Sequence, residues 1–329
     1  MPELPEVETI RRHLAPHVEG RTLDALEVSD ERWSRPLAPA ELAAAVDGRR
    51  IEALARRGKY LIWELEDDVH LMVHLRMTGT LLLDPPETPR FARVRFTLGD
   101  GHELWFDDPR RFGTGELALG GEARDAFFAS RLGVEPLGPD FTSAHLYALT
   151  RASRAPIKAF LLDQRKVAGV GNIYADEALF RARIHPLRPA ARLTRTQVAA
   201  LRDGIVVSLE AGLDAKGASI DDYRQPDGVQ GSFQHRFLIH LREGEPCLVC
   251  GRRGGGPTCV PSASLSRGGL GEVLEAPGAV QRGELLEAAD RLAIDDDLGE
   301  RHHSGLGRQL GTTLRILGEV DFLERDLAR

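Results

Sequence analysis

Met1-Pro2-Glu3-Leu4-Pro5-Glu6-Val7-Glu8-Thr9 opens the 329-residue chain. From this stretch onward Leu4, Val7, Ile10, Leu14 and Val18 recur at three- and four-residue steps, which predicts one amphipathic helix over residues 5–18. Pro5 suits a first helical turn, and Glu3 and Glu6 suit the positive end of the helix dipole. Ahead of the helix, only Met1 precedes Pro2. A methionine before a small proline is usually trimmed, and trimming exposes a secondary amine. An α-amino group has a pKa of about 7.7–8.0 against about 10.4 for lysine, so part of it is neutral at physiological pH. Such an amine can attack a sugar C1′ or an aldehyde and form an iminium. The plainer alternative is that this stretch only starts a helix.

Past the helix the pattern changes. From about Thr22 to Leu119 short apolar or alternating runs, such as Tyr60-Leu61-Ile62-Trp63-Glu64-Leu65 and Val94-Arg95-Phe96-Thr97-Leu98, alternate with turn signals such as Asp84-Pro85-Pro86 and Gly99-Asp100-Gly101. These predict a β-sandwich. Residues 133–140, with Gly133, Pro136, Gly138 and Pro139, form the natural linker, and segments 142–151, 155–165, 172–184 and 194–216 have helical spacing. The expected fold class is therefore α+β and multidomain: an N-terminal β-sandwich domain with its helix over 1–133, a helical domain over 134–236, an incomplete zinc finger over 237–264 and an atypical tail over 265–329.

Composition narrows the function classes. At 42% hydrophobic residues the chain is too apolar for wholesale disorder. It has no apolar run of eighteen residues, and acids fill its first twenty residues where a secretory signal needs a basic then apolar stretch. Three cysteines make no secreted disulfide framework. These features point to the cytoplasm and away from a membrane. The net charge of −7 argues against a generic polyanion binder but leaves room for a local basic face, since clustering decides. Lysine occurs only at 59, 158, 166 and 216.

Several internal stretches carry chemistry. Arg56-Arg57-Gly58-Lys59-Tyr60-Leu61 places Lys59 at a strand start beside a glycine that permits close backbone approach; a solvated hairpin is the plain alternative. Asp107-Asp108-Pro109-Arg110-Arg111-Phe112-Gly113 joins two basic planar groups to an aromatic, a mix suited to entering a minor groove and unstacking bases. Its alternative is an arginine paired with Asp107 or Asp108. His74-Leu75-Arg76-Met77-Thr78-Gly79 ends a strand with a methionine that is core by default. In Lys166-Val167-Ala168-Gly169-Val170-Gly171-Asn172-Ile173-Tyr174 a Gly-x-Gly-Asn turn enters a helix, giving an anion site expected to face a phosphate. Asn172 is the only asparagine of the chain, and Arg154, Lys158 and Lys166 lie near in sequence. No Gly-Lys-Ser/Thr ending is present, so a nucleotide P-loop is not expected. Cys247-Leu248-Val249-Cys250 is half of a zinc ribbon, whose four-ligand site normally takes a second Cys-x-x-Cys further on; only Cys259 follows.

Taken together and in order, these motifs resemble the formamidopyrimidine-DNA glycosylase family over roughly residues 1–251. The resemblance implies a β-sandwich plus a helix-two-turn-helix domain, with damaged double-stranded DNA as partner. By similarity Pro2 is the Schiff-base nucleophile, Glu3 the general acid at the sugar ring, and Lys59 a phosphate contact and proton donor in strand cleavage. Met77, Arg110 and Phe112 would fill the gap left by the everted base, Arg154 and Asn172 would hold backbone phosphates, and residues 218–233 would contain a loop over the flipped base. Leu4 favours this branch over the pyrimidine-directed relatives, which carry glycine there. The implied activity is excision of oxidised purines (8-oxoguanine and formamidopyrimidines) followed by β,δ-elimination, by a monomer near the bacterial nucleoid. No cofactor is required for the chemistry.

After Gly251 the chain departs from the family pattern. The family closes a zinc finger with an Arg-Gly-Thr-His-x-Cys-Pro-x-Cys-Gln-like run; here Gly254-Gly255-Gly256-Pro257-Thr258-Cys259-Val260-Pro261-Ser262-Ala263-Ser264 stands instead. A deletion with a frameshift is the expected origin, leaving Cys247 and Cys250 as an incomplete metal site and the family's structural zinc in doubt. The competing expectation is a lineage-specific tail with amphipathic helices over 285–290 and 312–327. The alternative function is a DNA-binding but catalytically impaired protein with a disrupted finger.

Overall fold

The structure, a computed structural model, describes residues 1–220 and 223–251. Cys259, the run 254–264, the tail from 265 with its two proposed helices, and Asp221 and Asp222 of the expected loop lie outside the described residues.

Helix α1 (Leu4–Val18) is the element on which both cores are built. Its apolar stripe is fully buried, each such side chain contributing about 1.5–3 kcal/mol. The stripe is shared: Leu4 packs in the core of the helical region, whereas Val7, Ile10, Leu14 and Val18 pack in the core of the sheet region. The amino end of α1 therefore stands where the two regions meet.

Eight antiparallel strands follow: β1 (Thr22–Val28), β2 (Arg49–Arg57), β3 (Tyr60–Leu65), β4 (Val69–His74), β5 (Thr80–Leu83), β6 (Ala92–Leu98), β7 (Glu103–Asp107) and β8 (Thr114–Leu119). They are hydrogen-bonded in the order β5-β7-β6-β1-β2-β3-β4-β8. The seam between β1 and β2 holds only two paired positions, Thr22 with Arg50 and Leu23 with Arg49. Trp63 of β3 stacks on Phe96 of β6 with ring centroids 5.0 Å apart. In a flat sheet those strands would stand about 14 Å apart, at ~4.8 Å per strand. The sheet therefore folds at the seam into two facing layers, the expected sandwich.

Two helices were not expected. α2 (Pro39–Val46) interrupts the strand region, and α3 (Gly121–Arg131) follows β8. α2 forms because Pro39 pre-sets the first turn, Ala40, Ala43, Ala44 and Ala45 favour helix, and Glu41 accepts the Ala38 N–H at 3.1 Å. Strands throughout 22–119 is thus corrected at this insertion.

The second region contains α4 (Ser143–Arg151), α5 (Ile157–Leu162), α6 (Asn172–Arg181) and α7 (Arg195–Asp214), close to the expected helical segments. Thr142 caps α4 by accepting the His145 N–H, and Thr194 and Gln197 form a reciprocal capping box on α7. Helix α6 differs. Gly171 stands at its N-cap, no acid lies in its first turn, and no capping side chain of its own serves it.

Candidate active site

The missing cap of α6 arrives from the other end of the sequence. The Glu3 carboxylate, only 2% exposed, accepts the amides of Gly171 at 2.6 Å, Ile173 at 2.9 Å and Tyr174 at 3.5 Å. This corrects the expectation that the Gly-x-Gly-Asn turn offers its backbone to a phosphate: the anion at this helix terminus is a side chain of the protein. Gly171 makes the seat possible, because a Cβ there would lie 2.5 Å from Glu3 Cδ. The backbone joins too, the Leu4 N–H donating to the Gly169 carbonyl at 3.0 Å. Pro2 is buried beside this junction, with Met1 exposed.

Glu6 ties the seat to its surroundings. Its carboxylate accepts the Glu3 N–H, the Tyr174 hydroxyl and the Ala218 N–H, each at 2.8 Å. The first of these anchors the first turn of α1. Burial, with the Glu3 charge adding to it, pushes the Glu6 carboxyl up from its ordinary value of 4.5. Burial beside the same two carboxylates raises the Tyr174 phenol well above its ordinary value, so it acts as a neutral donor. The Ala218 bond fixes the start of the 218–233 segment; further along, the Tyr223 hydroxyl donates to the Lys216 carbonyl at 3.2 Å.

Lys59 sits at the tip of the β2–β3 hairpin, buried, next to Gly58 at φ 56°. Glu135 from the linker grips this tip: it accepts the Gly58 N–H and pairs with Arg56 at 3.1 Å, while Arg56 also reaches Glu8 at 3.1 Å. Burial works against ionising Glu8, yet Arg11, Arg12 and Arg56 hold its carboxyl below the ordinary range. The hairpin also lies against the α6 approach, since a Cβ at Gly58 would meet Ala168 Cβ at 3.5 Å. On the neighbouring strand, burial and the charges of Arg76 and Lys59 push His74 well below its ordinary value. Neutral His74 accepts the Arg76 N–H on Nδ1 at 2.9 Å. The hairpin tip that carries Lys59 thus lies against Ala168, next to Gly169, whose carbonyl accepts the Leu4 N–H.

Met77 is half-buried in the loop after β4, not a core residue. Phe112, in the loop between β7 and β8, is 40% exposed, and the Arg110 guanidinium lies over its ring at 4.7 Å. In this turn Arg111 pairs with buried Asp30, and the Asp108 carboxylate accepts backbone amides of its own loop. Arg154 is exposed in the turn between α4 and α5. Asn172 is half-buried at the first position of α6, and its Oδ1 is buried without a hydrogen-bond partner. Lys158, weighed as a phosphate contact, instead pairs with Asp176 at 2.8 Å, which also meets His240 at 3.0 Å. Tyr174, Asp108, Glu135 and His74 were not anticipated. The helix-entry motif could have flagged Tyr174, and the Asp-Pro-Arg turn could have flagged Asp108, since aspartate before a turn collects its amides.

Beyond α7, the amides of Leu238, Ile239 and His240 donate to Glu177 of α6, anchoring the segment that leads to the cysteines. Cys247 is buried and accepts the Val249 N–H on Sγ at 3.4 Å; Cys250 is exposed. Two thiols supply half the donors of a tetrahedral structural zinc. Among the described residues no three His, Cys, Asp or Glu side chains are grouped to hold a metal. Nor is any described helix long and apolar enough to cross a membrane.

The chain is similar to known proteins over most of its length. The description "Formamidopyrimidine-DNA glycosylase N-terminal domain" matches residues 1–115, and "Formamidopyrimidine-DNA glycosylase H2TH domain" matches residues 132–224. The formamidopyrimidine-DNA glycosylase of Chloroflexus aurantiacus is 46% identical over 256 residues, covering 76% of this chain and 90% of the relative. The crystal structure of the MutM (Fpg) protein from Thermus thermophilus superposes with a TM-score of 0.70 at 44% identity, covering 77% of this chain and 92% of that one. Wild-type Lactococcus lactis Fpg, solved in complex with N7-benzyl-Fapy-dG-containing DNA, gives a TM-score of 0.70 at 34% identity, with 77% and 93% covered.

Proposed function

The chain belongs to the formamidopyrimidine-DNA glycosylase family, and from that premise we propose how its residues remove an oxidised purine from damaged DNA. It is a base-excision repair DNA glycosylase and AP lyase for oxidised purines. A base stacked in a duplex shields its C1′, so the nucleotide is first extruded at a cost of a few kcal/mol. Met77, Arg110 and Phe112 fill the space it leaves, while Arg154 and Asn172 hold flanking phosphates.

With Met1 removed, the Pro2 nitrogen bonds to C1′ as the bond from C1′ to the base breaks, and the base leaves with a proton. The Glu3 carboxylate takes up the proton that the Pro2 nitrogen releases on bonding to C1′ and passes it to the ribose ring oxygen, the ring opens, and an iminium joins Pro2 to C1′. The iminium acidifies the C2′ proton; its loss expels the 3′ phosphate, and a second elimination expels the 5′ phosphate. Lys59 contacts phosphate and donates a proton in these steps. Water then hydrolyses the iminium and frees Pro2. The observation that supports this reading best is the seat of Glu3: three amides of α6 orient its carboxylate one residue from the amine.

Borohydride trapping on a duplex carrying 8-oxoguanine opposite cytosine tests it. Wild-type protein is expected to give a covalent adduct that Pro2→Gly loses. DNA binding with no adduct from the wild type would overturn the reading and favour a catalytically impaired DNA binder. The proposal extends to a monomer acting in the cytoplasm at the nucleoid.

A further inference from the structure

We propose that Asp108 is a positioning residue that locks the Met77 loop and the Arg110–Phe112 loop into one rigid wedge, with Thr78 as the bolt between them. The proposal rests on the reading that Met77, Arg110 and Phe112 fill the gap beside an extruded nucleotide.

The two loops are 30 residues apart in sequence and share two supports. The first is polar. Asp108 is 1% exposed although Phe112, four residues on, is 40% exposed. Its Oδ1 accepts the Arg110 N–H at 3.1 Å and the Thr78 hydroxyl; its Oδ2 accepts the amides of Phe112 at 2.9 Å and Gly113 at 2.8 Å. A carboxylate tolerates such burial only when its oxygens are hydrogen-bonded. Three of the four donors belong to its own loop, and the fourth follows Met77 directly. The second support is apolar. Gly79 of one loop and Gly113 of the other press on the same buried ring: a Cβ at either position would approach Phe106 Cζ to 2.7 or 2.3 Å. Arg111, paired with buried Asp30, pins the outer side of the Phe112 loop.

A side chain that replaces lost base stacking must not be pushed back when the duplex recloses. Phe112 is exposed, so its own packing cannot hold it. Its backbone is held instead, and Thr78 makes the two loops move together or not at all.

The test compares single-turnover cleavage of two substrates: a duplex with 8-oxoguanine opposite cytosine, which requires extrusion, and a single-stranded oligonucleotide with an abasic site, which does not. Thr78→Val removes only the bolt and leaves the three amide bonds of Asp108 in place. It is expected to lower the duplex-to-single-strand rate ratio about tenfold, the effect of one hydrogen bond to a charged acceptor. Thr78→Ser, which keeps the hydroxyl, is expected to restore the ratio. A wild-type ratio in Thr78→Val would overturn the proposal. Phe112→Ala separates this failure from that of the underlying reading. If its ratio falls while that of Thr78→Val does not, only the coupling is wrong; if its ratio is also unchanged, the gap-filling reading fails and the proposal with it.

Discussion

The amino end of α1 and the paired loops around Asp108 both use a buried carboxylate to gather backbone amides, but they gather them from opposite distances. Glu3 and Glu6 reach amides 168 and 212 residues away and join the helical region to the sheet region. The Asp108 carboxylate collects amides two, four and five residues away and also accepts the Thr78 hydroxyl. The first arrangement seats the proposed proton donor inside a junction between two cores. The second ties together an exposed surface proposed to enter a duplex. On that reading chemistry is kept where water is excluded, and reading is kept where DNA can reach it.

The strongest way to break this comparison is Gly171→Ala. The φ of −130° at Gly171 is open to alanine, so the only conflict is the Cβ, 2.5 Å from Glu3 Cδ. Unseating the acid is expected to lower single-turnover excision of 8-oxoguanine by about 100-fold or more, within the range of a lost general acid. DNA affinity, measured by anisotropy, is expected to change much less. Near-normal excision would show that the α6 amides are not needed to position Glu3.

A smaller effect sharpens the contrast within α1 itself. Glu6 is raised above 4.5, so the folded protein holds its proton to higher pH than the unfolded chain does. Its favourable contribution is complete below about pH 4.5 and is lost as pH rises through the raised value, by at most about 1.4 kcal/mol per pH unit. Glu6→Gln is expected to remove that fall, seen as a flatter dependence of unfolding free energy on pH above 4.5 in denaturant titrations. Glu8, two residues on, has the opposite sign: its contribution is present above 4.5 and is lost as pH falls through its lowered value. Equal slopes in wild type and Glu6→Gln would contradict the buried-acid account.

The smallest effect is expected at the exposed end. Arg154→Ala is expected to reduce the slope of log binding constant against log salt by about 0.9, the share of one phosphate contact. Folding stability is expected to stay within about 0.5 kcal/mol of wild type, as for an exposed surface side chain. An unchanged salt slope would remove Arg154 from the DNA-binding surface.

What was readable in advance follows the same division. The stripe Leu4, Val7, Ile10, Leu14 and Val18 predicts α1 because helical periodicity is local, and alternating runs predict the strands for the same reason. α2 was missed because its short Ala-rich run lies among strand signals, although Pro39 marks its first turn. Pro2 was singled out as an amine from its type and position, and Glu3 and Lys59 received roles only from the resemblance; the partner of Glu3 was not foreseen. A helix that begins at Gly171-Asn172 without a cap announces that an anion must come from somewhere. It does not say that the anion is residue 3 rather than a phosphate. Asp108 was visible as a turn former, whereas its bond to Thr78 depends on the pairing of strands that bring two loops together.

The long reach of Glu3 and Glu6 also sets an order of events in biosynthesis. At roughly 5–20 residues per second, a ribosome needs about 10–40 s after making Glu6 to reach Ala218. For roughly the first 8–35 s, until Tyr174 has been made, the amine-bearing end of the chain has no α6 terminus to dock on. The first residues to be made are among the last to be seated, so completion of the helical region is the event that switches the nascent polypeptide from carrying a nucleophile to possessing an active site.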